Sequence, residues 1–154
     1  IARMKKPPAP FDRLADKSLH YLELDSGHQL FRQGVKITAM YYLQRGTVTL
    51  SRWSANGDEI IIHTAHDGES FAEAALFSKH YHCDAQTRTA CVLWEISKPA
   101  LLSAFSMEPA FALALTAKFA RQVQVLRHQK ELLAIRSAPA PHLPISSLPR
   151  KSNT

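Results

Sequence analysis

Residues 27–68 read GHQLFRQGVKITAMYYLQRGTVTLSRWSANGDEIIIHTAHDG, and this stretch decides the fold. All five glycines of the chain lie in it, at Gly27, Gly34, Gly46, Gly57 and Gly68, and it contains no proline. Turn-forming residues at such regular intervals, without proline, are typical of short antiparallel strands. The stretch therefore predicts a small antiparallel β domain.

The segments between the glycines have the composition of strands. Residues 29–33 and 40–44 are rich in apolar and aromatic side chains, 47–53 alternate apolar with polar residues, and 59–64 are β-branched. The Asn56–Gly57 pair predicts a type I′ hairpin turn between the last two of these segments. Residues 87–96 predict one further strand. Together these segments predict a mainly β fold, a β-roll or double-stranded β-helix of the jelly-roll kind, followed by C-terminal helices.

Two helices are predicted after the strands. Ser97 is a good N-cap for a short helix over 98–105, with Pro99 in its first turn. Ser106 is predicted to begin a long helix that ends near Arg136, roughly 45 Å in length. A helix of this length extends beyond one small barrel, so we expect it to serve as a dimerisation helix.

The long helix carries an apolar stripe that supports a homodimer. Side chains at helical spacing lie on nearly one face, with a glutamine at the border: Leu115, Phe119, Gln122, Leu126 and Leu133. The pattern is that of a dimer seam with polar residues that fix its register. The alternative is a helix that packs only on its own barrel.

The predicted organisation has four parts. Residues 1–18 form an N-terminal arm, 19–105 the β-roll with its short helix, 106–137 the long dimerisation helix, and 138–154 a Pro- and Ser-rich disordered tail. A helix-turn-helix needs two capped helices, which the tail cannot provide. We therefore expect contact with DNA only through a domain that is not in this chain.

Composition excludes several classes of protein. Hydrophobic residues make up 45% and charged residues 21%, which fits a soluble globular protein, and no apolar run is long enough for a membrane span. Only two cysteines occur, which favours a reducing, cytoplasmic location. The net charge of +6 is weak support for a nucleic-acid partner. No catalytic motif is present, so an enzyme is not expected.

Several motifs occur in an order that resembles the bacterial Crp/Fnr superfamily of transcription regulators. These are the glycine frame at 26–34, the YYLQRG segment at 41–46 and the DGESFAEAALF segment at 67–77. The last one is similar to the entry of that family's phosphate-binding cassette. The resemblance covers roughly residues 20–138 and implies a cyclic-nucleotide-binding-like sensor domain with a small-molecule effector.

The resemblance implies a ligand pocket, and it also shows where this chain departs from the family. The matching positions are Phe71, Ala72, Glu73, Ala74, Cys83, Asp84, Leu126 and Arg127. Glu73 stands where the family's glutamate holds a ribose hydroxyl, and Ala72 replaces the glycine before it. Cys83 replaces the arginine that pairs with the phosphate, and Asp84 adds a negative charge. This departure disfavours ordinary cAMP binding. Glu73 could instead have only a structural hydrogen-bonding role.

The segment at 71–74 is most similar to the nitric-oxide-responsive Fnr-type regulators, and residues 112–119 resemble the start of their dimer helix. Those relatives imply haem as an alternative ligand. His80 and His82 would share one side of a strand and could ligate a metal or haem iron, or they could lie in a polar loop. The absence of an N-terminal cysteine cluster argues against an iron–sulfur sensor.

Three functions follow from the sequence. The first is the effector-sensing and dimerisation domain of a Crp/Fnr-family regulator. The second is a stand-alone module that binds a cyclic nucleotide or another small anion. The third is a haem-based gas sensor with the same fold and a different ligand.

Overall fold

A computed structural model describes residues 6–137 of the chain. The chain divides into two compact units, Ile1–Thr116 and Ala117–Thr154. The predicted disordered tail lies outside the described residues. The first unit holds all the strands described below, and it confirms the predicted mainly β fold with C-terminal helices.

Within residues 6–137, the first unit contains eight strands. Their bounds are β1 Leu19–Leu24, β2 Gln29–Phe31, β3 Ala39–Arg45, β4 Val48–Trp53, β5 Glu59–Ala65, β6 Ser70–Phe71, β7 Asp84–Thr87 and β8 Cys91–Ser97. They make two antiparallel four-stranded sheets, in the orders β1-β8-β3-β6 and β2-β7-β4-β5. Consecutive strands often lie in different sheets, as expected of a β-roll.

The predicted strand over 87–96 is wrong in one respect, because it is two strands in different sheets. β7 ends at Thr87 and β8 begins at Cys91, so the chain crosses between the sheets at 88–90. Gly46 lies against this crossing with φ +111°, and a Cβ atom there would approach the Ala90 carbonyl oxygen to 2.6 Å. Only glycine fits such a close approach in this backbone conformation.

The hairpin between β4 and β5 has a different turn from the predicted type I′. Gly57 has φ +84°, but Asn56 does not have a positive φ, which type I′ requires. Instead the Gly57 N–H donates to the Ser54 carbonyl at 3.0 Å, and the Ser54 N–H donates to the Asp58 carbonyl at 2.8 Å. The loop is therefore longer, with one left-handed residue at its end.

Four aromatic rings form a continuous stack through the core and join the two sheets. Phe71 of β6 stacks on Tyr41 of β3 at 5.3 Å between ring centroids, Tyr41 on Phe31 of β2 at 5.8 Å, and Phe31 on Tyr81 at 3.9 Å. All four are buried. The Tyr81 hydroxyl donates to the Ala39 carbonyl at 2.9 Å, which ties the last ring back to β3.

A buried hydroxyl lies within this stack. Tyr41 donates to a Glu95 carboxylate oxygen at 3.0 Å. Burial, followed by the nearby Glu95 charge, raises the pKa of Tyr41. The hydroxyl therefore stays protonated and remains a donor to Glu95.

The two helices are α1, Lys98–Met107, and α2, Pro109–Ser137. The Ser97 side chain accepts from the Ala100 N–H at 3.4 Å, which confirms the predicted cap. The predicted boundary between the helices was wrong, because Ser106 lies inside α1. The break falls at Glu108, which is extended at φ −124° and ψ 96° because proline follows it.

The predicted N-terminal arm packs on the barrel in its described part. Short 3₁₀ turns at Phe11–Arg13 and Asp16–Ser18 precede β1. Phe11 is fully buried, with its ring 6.3 Å from that of Tyr42. In residues 6–137 no single helix is long and apolar enough to cross a membrane, and α1 and α2 reach that length and composition only as a bent pair.

Candidate ligand pocket

A pocket of about 240 Å³ opens beside the aromatic stack. Two rings of the stack, Phe31 and Tyr81, form part of its wall. The rest comes from β4, β5, the cassette at 72–74 and the segment before β7, and the wall is mostly apolar: Ile37, Leu50, Arg52, Ile62, Ala72, Glu73, Ala74, His82 and Cys83. The fold thus places residues from six separate segments around one apolar space.

A β-bulge brings Ile62 to this wall. Leu50 of β4 pairs with His63 of β5, and the next residue, Ser51, pairs with Ile61. Ile62 therefore has no residue opposite it, and it is the extra residue of a bulge. Ile62 is 46% exposed, little less than Ile60 at 52% and Ile61 at 55%, but of the three it alone lines the pocket. The bulge changes the register of β5 between Ile61 and His63, and the unpaired Ile62 contributes its apolar side chain to the pocket wall.

The cassette begins at a strained residue. Ala72 has φ +65°, and it is the only non-glycine residue with a positive φ in the described part of the chain. In this left-handed region the Cβ atom crowds the backbone, which costs roughly 1–2 kcal/mol for an L-amino acid. The family's glycine at this position fits the same conformation. Alanine keeps the backbone turn here and adds a methyl group to the pocket wall.

The structure brings four of the predicted pocket residues together. Ala72, Glu73, Ala74 and Cys83 all line the same pocket. Phe71 lies beside it but is 1% exposed, because its ring belongs to the core stack.

Asp84 is placed differently from the prediction. It lines a separate cleft, where its carboxylate accepts from the Gln33 N–H at 2.7 Å and from the Trp53 indole N–H at 3.1 Å. Cys83 lies in the bend just before β7 and lines the pocket, whereas Asp84 is the first residue of β7 and lines the other cleft. Asp84 therefore makes no direct contact in the pocket, and its predicted repulsion of a bound anion stays a prediction.

Leu126 and Arg127 lie in α2, within the second unit of the chain. Every residue that lines the pocket lies between residues 31 and 83. The contribution of Leu126 and Arg127 to the pocket therefore stays a prediction.

The thiol of Cys83, which the family resemblance matches to the phosphate-binding arginine, lines the pocket. Burial raises the pKa of Cys83, Asp84 adds to this, and Arg52 acts in the opposite direction. The thiol is therefore neutral near pH 7 and offers no charge to an anion.

Arg52 supplies a positive charge that was not predicted from the sequence. Its Nε donates to the His82 carbonyl at 2.8 Å, which fixes the guanidinium beside Cys83 at the pocket. Arg52 follows Leu50 by two residues in β4, and both side chains reach the same wall. Strand alternation was the available signal, but the sequence did not show that this face of β4 borders the cassette.

His80 and His82 do not share a strand, so of the two alternatives the structure favours the polar loop. His80 forms an isolated bridge with Lys36 and His82 lies in a bend before β7. The two imidazoles line different pockets, and His82 contacts Ser78 Oγ at 3.1 Å. No group of three or more metal-ligating side chains occurs in the described ranges.

Comparison with known proteins agrees with this architecture. The profile of the cyclic nucleotide-binding domain family matches residues 21–108. The chain is 32% identical over 107 residues to the cAMP-activated global transcriptional regulator CRP of Haemophilus influenzae, a match that covers 68% of this chain and 48% of that protein. It is 30% identical over 108 residues to CRP of Escherichia coli O157:H7, covering 69% and 51%.

Among solved structures, the sensor domain of the transcriptional regulator DNR from Pseudomonas aeruginosa is similar, with a TM-score of 0.61 and 31% identity. The match covers 82% of this chain and 81% of that one. The chain therefore belongs to the cyclic nucleotide-binding domain family and is a sensor domain of the Crp/Fnr type. It spans about half the length of the curated relatives it matches.

The strain at Ala72 predicts that a smaller residue stabilises the domain. Ala72→Gly should raise the free energy of unfolding by about 0.5 kcal/mol, because relief of the left-handed conformation outweighs the lost methyl contacts and the extra chain entropy. Urea unfolding followed by circular dichroism measures this difference.

Ala74→Gly is the matched control, since Ala74 has no positive φ. It should lower stability by about 0.5–1 kcal/mol. If Ala72→Gly and Ala74→Gly lowered the free energy of unfolding by similar amounts, the claim that Ala72 is strained would be wrong.

Proposed function

We propose that this chain is the effector-sensing and dimerisation part of a Crp/Fnr-type transcription regulator. The observation that carries the proposal is the pocket at the cassette position, where Ala72, Glu73 and Cys83 meet Arg52 around an apolar space. The curated relatives are named as regulators activated by cAMP, so this is the position at which an effector would act. We ascribe no contact with DNA to residues 6–137.

The pocket supports an effector other than a cyclic nucleotide bound in the ordinary way. Cys83 is the reason, because a neutral thiol replaces the guanidinium that would pair with the phosphate. A charge-assisted hydrogen bond contributes roughly 1.5–3 kcal/mol, so its loss weakens binding about ten- to a hundredfold. The Asp84 carboxylate faces another cleft and makes no direct contact in the pocket, but its negative charge still acts on Cys83.

The lining indicates what the effector carries. Most of the wall is apolar, which favours a compact apolar body. Arg52 uses its Nε on the His82 carbonyl, and its guanidinium offers further donors at the pocket for an anionic group. Glu73 also lines the pocket. We infer a small organic acid with an apolar body.

A haem group is supported less well by these residues. Of the two candidate histidines only His82 lines the pocket, and His80 lines another one. The lining therefore does not fit a site with two histidine ligands. A haemin titration that gave a Soret shift lost in His82→Ala would favour the gas-sensor alternative.

The dimerisation part of the proposal rests on the second unit. Leu126 is 42% and Leu133 64% exposed in a single copy, and they stand seven residues apart on α2. Exposed leucines at heptad spacing are typical of a seam that a second helix covers. Leu115, at the start of the stripe, is fully buried within the first unit. The seam is therefore proposed for the part of the stripe from Phe119 onward.

Negative charges introduced into the apolar stripe of α2 should dissociate the dimer. Leu126→Glu with Leu133→Glu should weaken dimerisation about a hundredfold or more, because four carboxylates would be buried in the seam. Light scattering at tens of micromolar should then change from dimer to monomer. Leu113→Glu, on the opposite side of α2, is the control and should stay dimeric. A monomeric unmodified chain would contradict the proposal.

A guanidinium at position 83 should create cyclic-nucleotide binding. Cys83→Arg should bind cAMP at least about tenfold more tightly than the unmodified chain, because it restores one charge-assisted pair with the phosphate. Isothermal titration calorimetry measures both affinities. Cys83→Leu is the uncharged control and should not gain affinity. Micromolar cAMP binding by the unmodified chain would refute the argument from Cys83.

A further inference from the structure

A second cleft, of about 840 Å³, lies on the same unit of the chain as the candidate effector pocket. Its walls come from the segment before β3, the segment before β7 and the start of α1. Three lysines and a histidine border it: Lys36, Lys79, His80 and Lys98. Neither the family comparison nor the proposed function assigns a role to this group.

The charges of this cleft are all of one sign. Within residues 6–137 its lining contains no aspartate or glutamate, and none of the three lysines forms an ion pair there. The Lys98 ammonium donates to the Ser78 carbonyl at 2.5 Å, which holds it in place without neutralising it. Like charges that share a cleft repel one another, and a bound anion would remove that cost.

The backbone holds the basic residues in fixed positions. Lys36 and His80 form an antiparallel bridge, and the Ile37 N–H donates to the Lys79 carbonyl at 2.9 Å. The Lys98 N–H donates to the Thr38 carbonyl at 3.0 Å. Three separate segments are thus hydrogen-bonded side by side. Donors on such a scaffold lose little backbone entropy when a ligand binds.

Lys98 also stands at an electrostatically unfavourable place. It is the first residue of the ten-residue helix α1, after the cap Ser97, and the first turn contains no acidic residue. The positive end of the helix dipole disfavours a cation there and favours an anion. An anion in the cleft would therefore gain from the helix end as well as from the lysines.

We propose that this cleft binds a phosphate-bearing anion with two or more negative charges. Lysines act as point-charge donors to phosphate oxygens. Apolar side chains of Ile37, Pro99 and Leu102 border the same cleft and provide a surface for an organic group. The volume falls within the range of about 300–1,000 Å³ of small-molecule sites. The ligand class is therefore an organic or inorganic polyphosphate.

The test is calorimetry on the full chain with two probes, ATP and inorganic tripolyphosphate. Both should bind, and Lys36→Glu with Lys79→Glu should weaken binding about tenfold or more, because two cationic contacts become repulsive. Tighter binding of ATP than of tripolyphosphate would show that the apolar border takes part. Equal affinities would assign the site to the phosphates alone, which also supports the proposal.

Lys17→Glu with Lys130→Glu is the matched control, because it changes the net charge by the same amount at exposed positions outside the cleft. It should keep the affinity within about twofold, as only screened long-range charge is altered. Circular dichroism checks that both variants are folded. No binding at millimolar probe, or an equal loss in both double variants, would overturn the proposal. Either result leaves the effector pocket untouched, since neither pair of lysines lines it.

Discussion

The rest of the structure depends on the stack of four aromatic rings, because it is the contact that joins the two sheets. Phe71 and Tyr41 come from one sheet, Phe31 from the other, and Tyr81 from the segment before β7. Large buried rings contribute much apolar area, and their stacking fixes the distance between the layers. The Tyr81 hydroxyl, bonded to Ala39, closes this assembly. Tyr81 cannot move without disturbing both its ring contact and its hydrogen bond.

The pocket and the neighbouring basic cleft both follow from that constraint. Phe31 and Tyr81 present one side of the stack to the pocket, and Phe71 leads directly into the left-handed turn at Ala72. His80 comes just before Tyr81 and borders the basic cleft, while Ile37 borders both spaces. A ligand in either space therefore contacts residues next to the stack. This gives a physical route by which an effector could alter the domain, through residues that cannot shift independently.

The sequence predicted the fold well because its signals were local. Glycine spacing and strand composition gave the β-roll, and Ser97 with Pro99 gave the start of α1. Errors occurred where tertiary packing decides: the chain crossing near Gly46, and the placement of Cys83 and Asp84 in different clefts. The cassette positions came from family resemblance, whereas Arg52 and the bulged Ile62 could not be found, because pairing between distant strands determines which face meets the pocket.

Binding of an organic acid next to Arg52 is the central claim, and methyl NMR tests it most directly. With isoleucine methyl groups labelled, 4-hydroxyphenylacetate is titrated into the chain and into Arg52→Gln. The account predicts a saturable shift of Ile62, none at the exposed Ile60 and Ile61, and loss of the Ile62 shift in Arg52→Gln. An unshifted Ile62, or an Ile62 shift that persists unchanged without the guanidinium, would contradict it.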